Sequence, residues 1–159
     1  MSKWSRRVRN QSRLWRLGPG LPPLHAPPSA PLQVDQASRY QLHGQHLDGK
    51  RLCCENLADL GGVRLAHAAL LAALSGDGGP QDGARRRREE RAFFSAWARL
   101  WRERSGAARA LQRLAVDTHA PSEYRVNGPL ANMSEFHAAF GVVRGDGMYV
   151  PEEDRVDVW

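Results

Sequence analysis

The strongest constraint on this chain is an apolar stretch that begins with two acidic residues. In Glu55-Asn56-Leu57-Ala58-Asp59-Leu60-Gly61-Gly62 the two carboxylates stand four residues apart. If residues 55–74 are helical, this spacing places Glu55 and Asp59 on one face, about one turn apart. A helix with so much apolar surface is usually buried, and a buried carboxylate is costly unless it is paired or bound to a metal. Both acids therefore need partners. The apolar residues on the other faces are Leu57, Leu60, Leu65, Ala68 and Leu71.

Hydrophobic periodicity predicts a mainly α-helical fold with about four helices and long loops. We expect helices at residues 55–74, 85–104 and 107–116, and a fourth after residue 132. A short helix is also compatible with residues 34–42. Pro121 favours a loop over residues 117–128, and paired prolines exclude regular structure over residues 18–31.

Local signals add detail to these helices. Asn132-Met133-Ser134-Glu135 has the form of a capping box, and Gly141 suits a left-handed C-terminal cap. Gly61-Gly62 costs helix stability, which predicts the close approach of another backbone. The side chains expected to be buried are Phe93, Trp97, Leu100 and Trp101 in the second helix, Ala107, Leu111 and Leu114 in the third, and Met133, Phe136 and Phe140 in the fourth.

Several motifs occur in a fixed order after the acidic stretch. They are Asp117-Thr118-His119-Ala120-Pro121, Tyr124-Arg125-Val126-Asn127-Gly128-Pro129-Leu130, Asn132 with Glu135-Phe136, Ala139-Phe140-Gly141 and the terminal Trp159. Together with the Glu-Asn-x-Ala-Asp segment, they resemble the neprilysin and endothelin-converting-enzyme family of zinc metallopeptidases. The resemblance runs from about residue 41 to residue 159. It implies part of a gluzincin-type catalytic domain, the C-terminal portion of a family whose members are several times longer.

The resemblance implies a role for each of four residues. Glu55 matches the third ligand of a catalytic zinc, and Asp59 matches an acid that hydrogen-bonds a ligand histidine. His119 matches a histidine that donates to the developing oxyanion, a contact typically worth about 3 kcal/mol. Arg125 matches an arginine that holds a backbone carbonyl of a peptide substrate. The implied cofactor is zinc and the implied partner is a peptide.

The residues alone leave plainer explanations open. His119 could be an ordinary loop histidine, and Arg125 could pair with Glu123 or Asp117. His43 and His46 are more typical of a turn than of a metal pair.

The chain departs from the family pattern at the metal. No H-E-x-x-H motif occurs, so two zinc ligands and the general base are absent from the sequence. The six histidines are His25, His43, His46, His67, His119 and His137. We expect tight zinc binding and peptidase activity only if another chain supplies that helix. A truncation, a split gene and a misplaced start are all compatible with this pattern.

Charge divides the chain near residue 34. Residues 1–34 carry six cations, no acid and six of the ten prolines, whereas residues 35–159 carry 17 cations and 17 acids. We expect a basic, proline-rich, disordered leader followed by one peptidase-like domain. A targeting segment or a nucleic-acid-binding arm are the alternatives for the leader. Nucleic acid is the less favoured partner.

The sequence leaves the compartment unknown, with a cytoplasmic location as the default. No uninterrupted run of about 18 apolar residues occurs, so no spanning helix is expected. The basic start lacks the apolar region of a secretory signal. Adjacent cysteines rarely pair with each other, so Cys53 and Cys54 are expected to be reduced.

Two functions from different classes remain. The first is the C-terminal part of a zinc metalloendopeptidase catalytic domain, inactive alone. The second is a non-enzymatic helical remnant that acts as a binding module, with a basic arm for nucleic acid.

Overall fold

The computed structural model describes residues 29–76 and 83–158. The helices of these segments are α1 (Ala30–Ser38), α2 (Gly49–Gly76), α3 (Gly83–Leu100), α4 (Ala107–Val116), α5 (Ser122–Ala131) and α6 (Ser134–Phe140). A two-stranded hairpin, β1 (Gln41–Leu42) and β2 (Gln45–His46), separates α1 from α2, and a 3-10 turn covers Glu152–Asp154. The mainly helical fold predicted from the sequence is confirmed, with α1 and α5 in addition to the four helices expected at residues 55–74, 85–104, 107–116 and after residue 132.

Helix α2 is the centre of the molecule, and it begins earlier than residue 55. Asp48 Oδ1 accepts hydrogen bonds from the backbone N–H groups of Lys50 (3.1 Å) and Arg51 (3.3 Å), so its side chain caps the first turn. The close backbone approach occurs at Gly49, where a Cβ would lie 2.2 Å from the carbonyl oxygen of Val34 in α1. The prediction of such an approach at Gly62 is wrong, because nothing lies within 4 Å of a Cβ there.

The main core joins α2, α3, α5, α6 and the C-terminal tail. Its buried members are Leu60, Val63, Phe94, Leu130, Met133, Phe136, Ala139 and Val156. Phe94 is only 1% exposed, and it is buried more deeply than the neighbouring aromatic residues that were expected to be buried. Leu100 is 71% exposed because α3 ends there rather than at residue 104. A second cluster of Leu47, Leu52 and Ala120 lies under the hairpin.

Helix α4 has the predicted bounds but not the predicted burial. Among its described residues none is buried, and Ala107 is exposed. Leu114 packs at the edge of the second cluster. The helix therefore lies on the surface of the fold.

Helix α5 replaces most of the loop predicted for residues 117–128. The carbonyl of Pro121 accepts hydrogen bonds from the N–H groups of Tyr124 (2.8 Å) and Arg125 (3.1 Å), so the proline starts the helix instead of preventing it. Pro129 in the last turn cannot donate to the carbonyl of Arg125, four residues earlier. Trp97 Nε1 donates to that carbonyl instead, at 3.2 Å. A tertiary contact thus satisfies the acceptor that the proline leaves open.

Asn132 is a link between elements rather than the cap of α6. The N-cap of α6 is Met133, without a side-chain cap. The Asn132 side chain donates to the carbonyl of Gly128 (2.7 Å), bonds Gln36 of α1 and accepts from the N–H of Val156 (2.8 Å). The predicted capping box is therefore wrong. Gly141 does form the expected left-handed C-cap, with φ of 71°.

Helix α1 covers residues that the sequence assigned to different segments. It begins at Ala30 with Pro31 in its first turn, so the expectation of irregular structure is wrong for these two residues. It also crosses the predicted boundary near residue 34 and ends at Ser38, before the hairpin. Residues 1–28 of the predicted leader and Trp159 lie outside the described residues.

Helix α2 is also long and apolar enough over Gly49–Ser75 to cross a membrane, judged by length and composition alone. The sequence prediction relied on an uninterrupted apolar run and did not anticipate this. Core helices of soluble proteins pass the same test, and the first half of α2 packs in the core through Leu60 and Val63. Its second half is more open, with Leu65 63% exposed.

Cys53 and Cys54, near the start of α2, are both free thiols.

Candidate functional site

The two acids of α2 lie one turn apart but in different environments. Asp59 is buried, at 8% exposure, whereas the side chain of Glu55 is 40% exposed. Each meets a cation or a histidine that comes from the segment around α5. The partners that the sequence required for these carboxylates are thus supplied within the chain.

Asp59 pairs with Arg125 through two hydrogen bonds. Arg125 Nε donates to Asp59 Oδ2 and Arg125 Nη2 donates to Asp59 Oδ1, each at 2.7 Å. The guanidinium carbon also lies 3.9 Å from the centre of the Trp101 ring. This two-point geometry, stacked on an aromatic face, is the arrangement that an arginine makes and a lysine does not. Arg125 therefore pairs with neither Glu123 nor Asp117, the two alternatives left open by the sequence.

His119 lies between two carboxylates. Its Nε2 is 3.3 Å from Glu55 Oε2, and its Nδ1 is 2.8 Å from Asp117 Oδ1. The backbone N–H of His119 also donates to Asp117 Oδ1, at 2.9 Å. An ionised carboxylate only accepts hydrogen bonds, so Nδ1 carries a proton and donates a hydrogen bond to Asp117. His119 is thus oriented on one side by Asp117 and directed at Glu55 on the other.

The environment of Asp117 keeps it ionised. The backbone hydrogen bond from His119 is the largest cause that lowers its pKa from 3.8 to about 2, while partial burial acts in the opposite direction. Hydrogen bonds from the His119 ring and from Arg113 lower the pKa further.

A cavity of about 170 Å³ opens beside His119. The hairpin tip, α4 and the start of α5 form its walls, and its lining includes Leu42, His43, Arg113, Leu114 and Ala120. This volume is below the range of about 300–1,000 Å³ typical of drug-sized ligands, so it suits one side chain.

The four residues singled out in the sequence are therefore brought together as two pairs, Glu55 with His119 and Asp59 with Arg125. The sequence did not assign a role to Asp117 or Trp101. Asp117 stands two residues before His119, a spacing that allows an acid to bond both the backbone and the ring of a histidine. Nothing in the sequence indicated that Trp101 would contact a site residue, because its helical spacing is typical of core packing.

The residues present do not complete a zinc site. Within residues 29–76 and 83–158 no group of three histidine, cysteine or acidic side chains is placed to hold a metal ion. Glu55 could supply one ligand, as a carboxylate oxygen suited to zinc. His46 bonds Gln41 and the carbonyl of Ser38 rather than any acid of α2.

Comparison with known proteins relates most of the chain to one family of peptidases. The model of Peptidase family M13 matches residues 33–156 of the chain. The neutral endopeptidase of Lactococcus lactis subsp. lactis is 36% identical over 112 residues, which are 70% of this chain and 16% of that protein. Human endothelin-converting enzyme 1 is 30% identical over 130 residues, or 79% of this chain and 16% of that protein. The chain thus spans about a sixth of these relatives.

Solved structures show the same relationship. A zinc metalloprotease of Mycobacterium tuberculosis, in complex with an inhibitor, matches with a TM-score of 0.71 and 32% identity, covering 82% of this chain and 21% of that one. PepO from Lactobacillus rhamnosis matches with a TM-score of 0.70 and 30% identity, covering 82% of this chain and 19% of that one. The resemblance seen in the sequence is confirmed, and the chain belongs to Peptidase family M13.

Proposed function

We propose that this chain is the C-terminal part of the catalytic domain of a zinc metalloendopeptidase that hydrolyses peptide bonds. The observation that carries the proposal is the gathering of Glu55, Asp59, His119 and Arg125 at one side of α2, in two contacts of 3.3 Å or less. These are the residues to which the family resemblance gives roles at the metal and the substrate.

Arg125 is arranged to hold a peptide carbonyl. Asp59 engages its Nε and Nη2, and Trp101 covers one face of the guanidinium group. Its Nη1 makes no hydrogen bond to any residue in the described part of the chain and is left for a substrate oxygen. In this role Asp59 fixes the direction of the guanidinium fork in addition to its implied contact with a ligand histidine.

His119 would act through Nε2. Asp117 fixes the ring through Nδ1, so Nε2 is the nitrogen that faces a substrate oxyanion, and it donates to that oxygen only when it also carries a proton. A donor fixed before the reaction stabilises the transition state without the cost of reorganisation. Glu55 would be the residue of this chain that holds zinc in a completed site, and its contact with His119 would then be broken.

Activity requires groups that this sequence lacks. Zinc in the complete family site supplies an activated water, and the H-E-x-x-H helix supplies two ligands and the base. Binding groups such as His119 and Arg125 lower a barrier only when a nucleophile is present. We therefore propose that the chain alone is inactive and that a separate polypeptide with this helix could complete the site.

A complementation assay tests this proposal. The full chain is mixed with zinc and a polypeptide carrying the H-E-x-x-H helix, and hydrolysis of a fluorogenic peptide is followed. We expect chelator-sensitive turnover in the mixture only, with a loss of about 100-fold in His119→Ala and complete loss in Glu55→Gln. Glu153→Gln, an exposed acid of the tail, is the matched control. Chelator-sensitive turnover by the chain alone, or turnover indifferent to Glu55, would contradict the proposal.

The second candidate is a non-enzymatic binding module. Large apolar side chains at Leu65, Leu100 and Val143 are exposed in the described part of the chain, as on surfaces that meet a partner. The basic arm belonging to this alternative lies in residues outside the described ranges. Tight binding of the H-E-x-x-H polypeptide without any turnover would favour this candidate over the first.

A further inference from the structure

The carboxylate of Asp117 is held at both oxygens. Oδ1 accepts from the backbone N–H and the ring Nδ1 of His119, at 2.9 and 2.8 Å. Oδ2 accepts from Nε and Nη2 of Arg113, at 3.3 and 3.1 Å. A carboxylate bonded at one oxygen can still turn about its terminal torsion, whose preferences are broad. Bonds at both oxygens oppose this rotation.

Arg113 is fixed in turn by a second acid. Its Nη1 donates to both carboxylate oxygens of Glu103, at 3.1 and 3.3 Å, and Ser122 Oγ donates to Glu103 Oε2 at 2.8 Å. Glu103 lies between α3 and α4, Arg113 lies in the last turn of α4, and Ser122 begins α5. Glu103 and Asp117 therefore meet on one guanidinium group, whose planar fork can serve two carboxylates at once, and Ser122 holds Glu103 in place.

These contacts form a chain of alternating charges that ends at the candidate site. The contacts run from Glu103 through Arg113 and Asp117 to His119, which faces Glu55. The side chains of Arg113 and Glu103 are 45% and 40% exposed, so each pair by itself adds little to stability. These pairs matter for geometry, because they restrict the orientation of the Asp117 carboxylate, which in turn orients His119.

We propose that Arg113, anchored by Glu103, is a positioning residue that fixes Asp117 and thereby holds His119 with Nδ1–H on Asp117 and Nε2 toward Glu55. This inference rests on the proposed role of His119 in catalysis. Arg113 lines the cavity beside His119, and in this role it acts on the histidine through Asp117.

Nuclear magnetic resonance on the full chain tests the inference without any need for activity. The measured quantities are the solvent exchange rate of the His119 Nδ1 proton and the shifts of its ring nitrogens. In Arg113→Gln we expect exchange to be about fivefold faster, the ratio expected for losing an exposed charge-assisted contact. Glu103→Gln should change exchange in the same direction by a smaller factor. Arg144→Gln, the same chemical change at an exposed arginine elsewhere, should have no effect.

Arg113→Lys separates charge from geometry. Lysine keeps the charge and the helix propensity but lacks the two-pronged guanidinium group. The exchange rate of the His119 Nδ1 proton should therefore lie between those of the unchanged protein and Arg113→Gln. Exchange in Arg113→Gln equal to that of the unchanged protein, full restoration by lysine, or an equal effect of Arg144→Gln would each overturn the inference. In the complementation assay Arg113→Gln should lower kcat by about fivefold and leave KM within about twofold. A failed complementation assay would count against the proposed function and leave the resonance result standing.

Discussion

At the scale of the residue, the pair between Asp59 and Arg125 is a largely buried ion pair with two hydrogen bonds. The Asp59 and Arg125 side chains are only 10% and 16% exposed, so removing one charge leaves the other poorly solvated. We expect Asp59→Asn to lower the free energy of unfolding by about 2 kcal/mol, measured by urea denaturation. Asp35→Asn breaks the exposed pair with Arg39 and should cost less than about 0.5 kcal/mol. Equal effects of the two substitutions would show that burial does not matter here.

A second residue-scale prediction concerns acid. The pKa of Asp117 is lowered in the folded protein from 3.8 to about 2, so the folded state favours its ionised form. Its contribution to stability is present above about pH 4 and is lost as the pH falls toward 2. The difference in urea midpoint between the unchanged protein and Asp117→Asn should therefore shrink between pH 5 and pH 2. A difference that stays constant over this range would contradict the assigned hydrogen bonds.

At the scale of the element, α5 is positioned against Tyr40 by a glycine. A Cβ on Gly128 would lie 2.8 Å from the Tyr40 hydroxyl oxygen. The Tyr40 ring cannot move aside easily, because it stacks on Tyr124 with ring centres 4.2 Å apart. Alanine normally stabilises a helix by about 1 kcal/mol relative to glycine. We expect Gly128→Ala to destabilise the fold instead, as measured by thermal unfolding.

Two variants serve as controls for this contact. Gly62→Ala in α2 meets no atom within 4 Å and should be stabilising. Tyr40→Phe removes the clashing hydroxyl and should recover most of the stability lost in Gly128→Ala. Destabilisation by both alanine substitutions would indicate a cause other than the Tyr40 contact.

At the scale of the whole molecule, metal binding depends on how many zinc ligands the chain supplies. A structural or catalytic zinc site needs at least three protein ligands, and residues 29–76 and 83–158 contain no group of three that could hold a metal ion. We expect calorimetric titration of the full chain to show no site of nanomolar or tighter affinity. One tight equivalent that is lost in Glu55→Gln, yet persists when His43 and His46 are replaced, would reveal ligands that we have missed.

The sequence by itself determined the features that depend on neighbours along the chain. The apolar period specifies the helical class, the spacing of Glu55 and Asp59 sets them on one face, and Gly141 provides the left-handed cap. The ordered motifs also indicated the four candidate site residues and the family. These features were predictable because each depends on a few consecutive residues.

Only the tertiary structure decided which distant groups meet. The partner of Asp59 lies 66 residues further along, and Trp97 from α3 satisfies the carbonyl that Pro129 leaves open in α5. Asn132 has the sequence of a cap but uses its amide to join α1, α5 and the tail. Local propensity differs by a fraction of a kcal/mol between conformations, whereas a buried unpaired group costs about 1–3 kcal/mol. The need to satisfy buried polar groups therefore overrode the local signals at these positions.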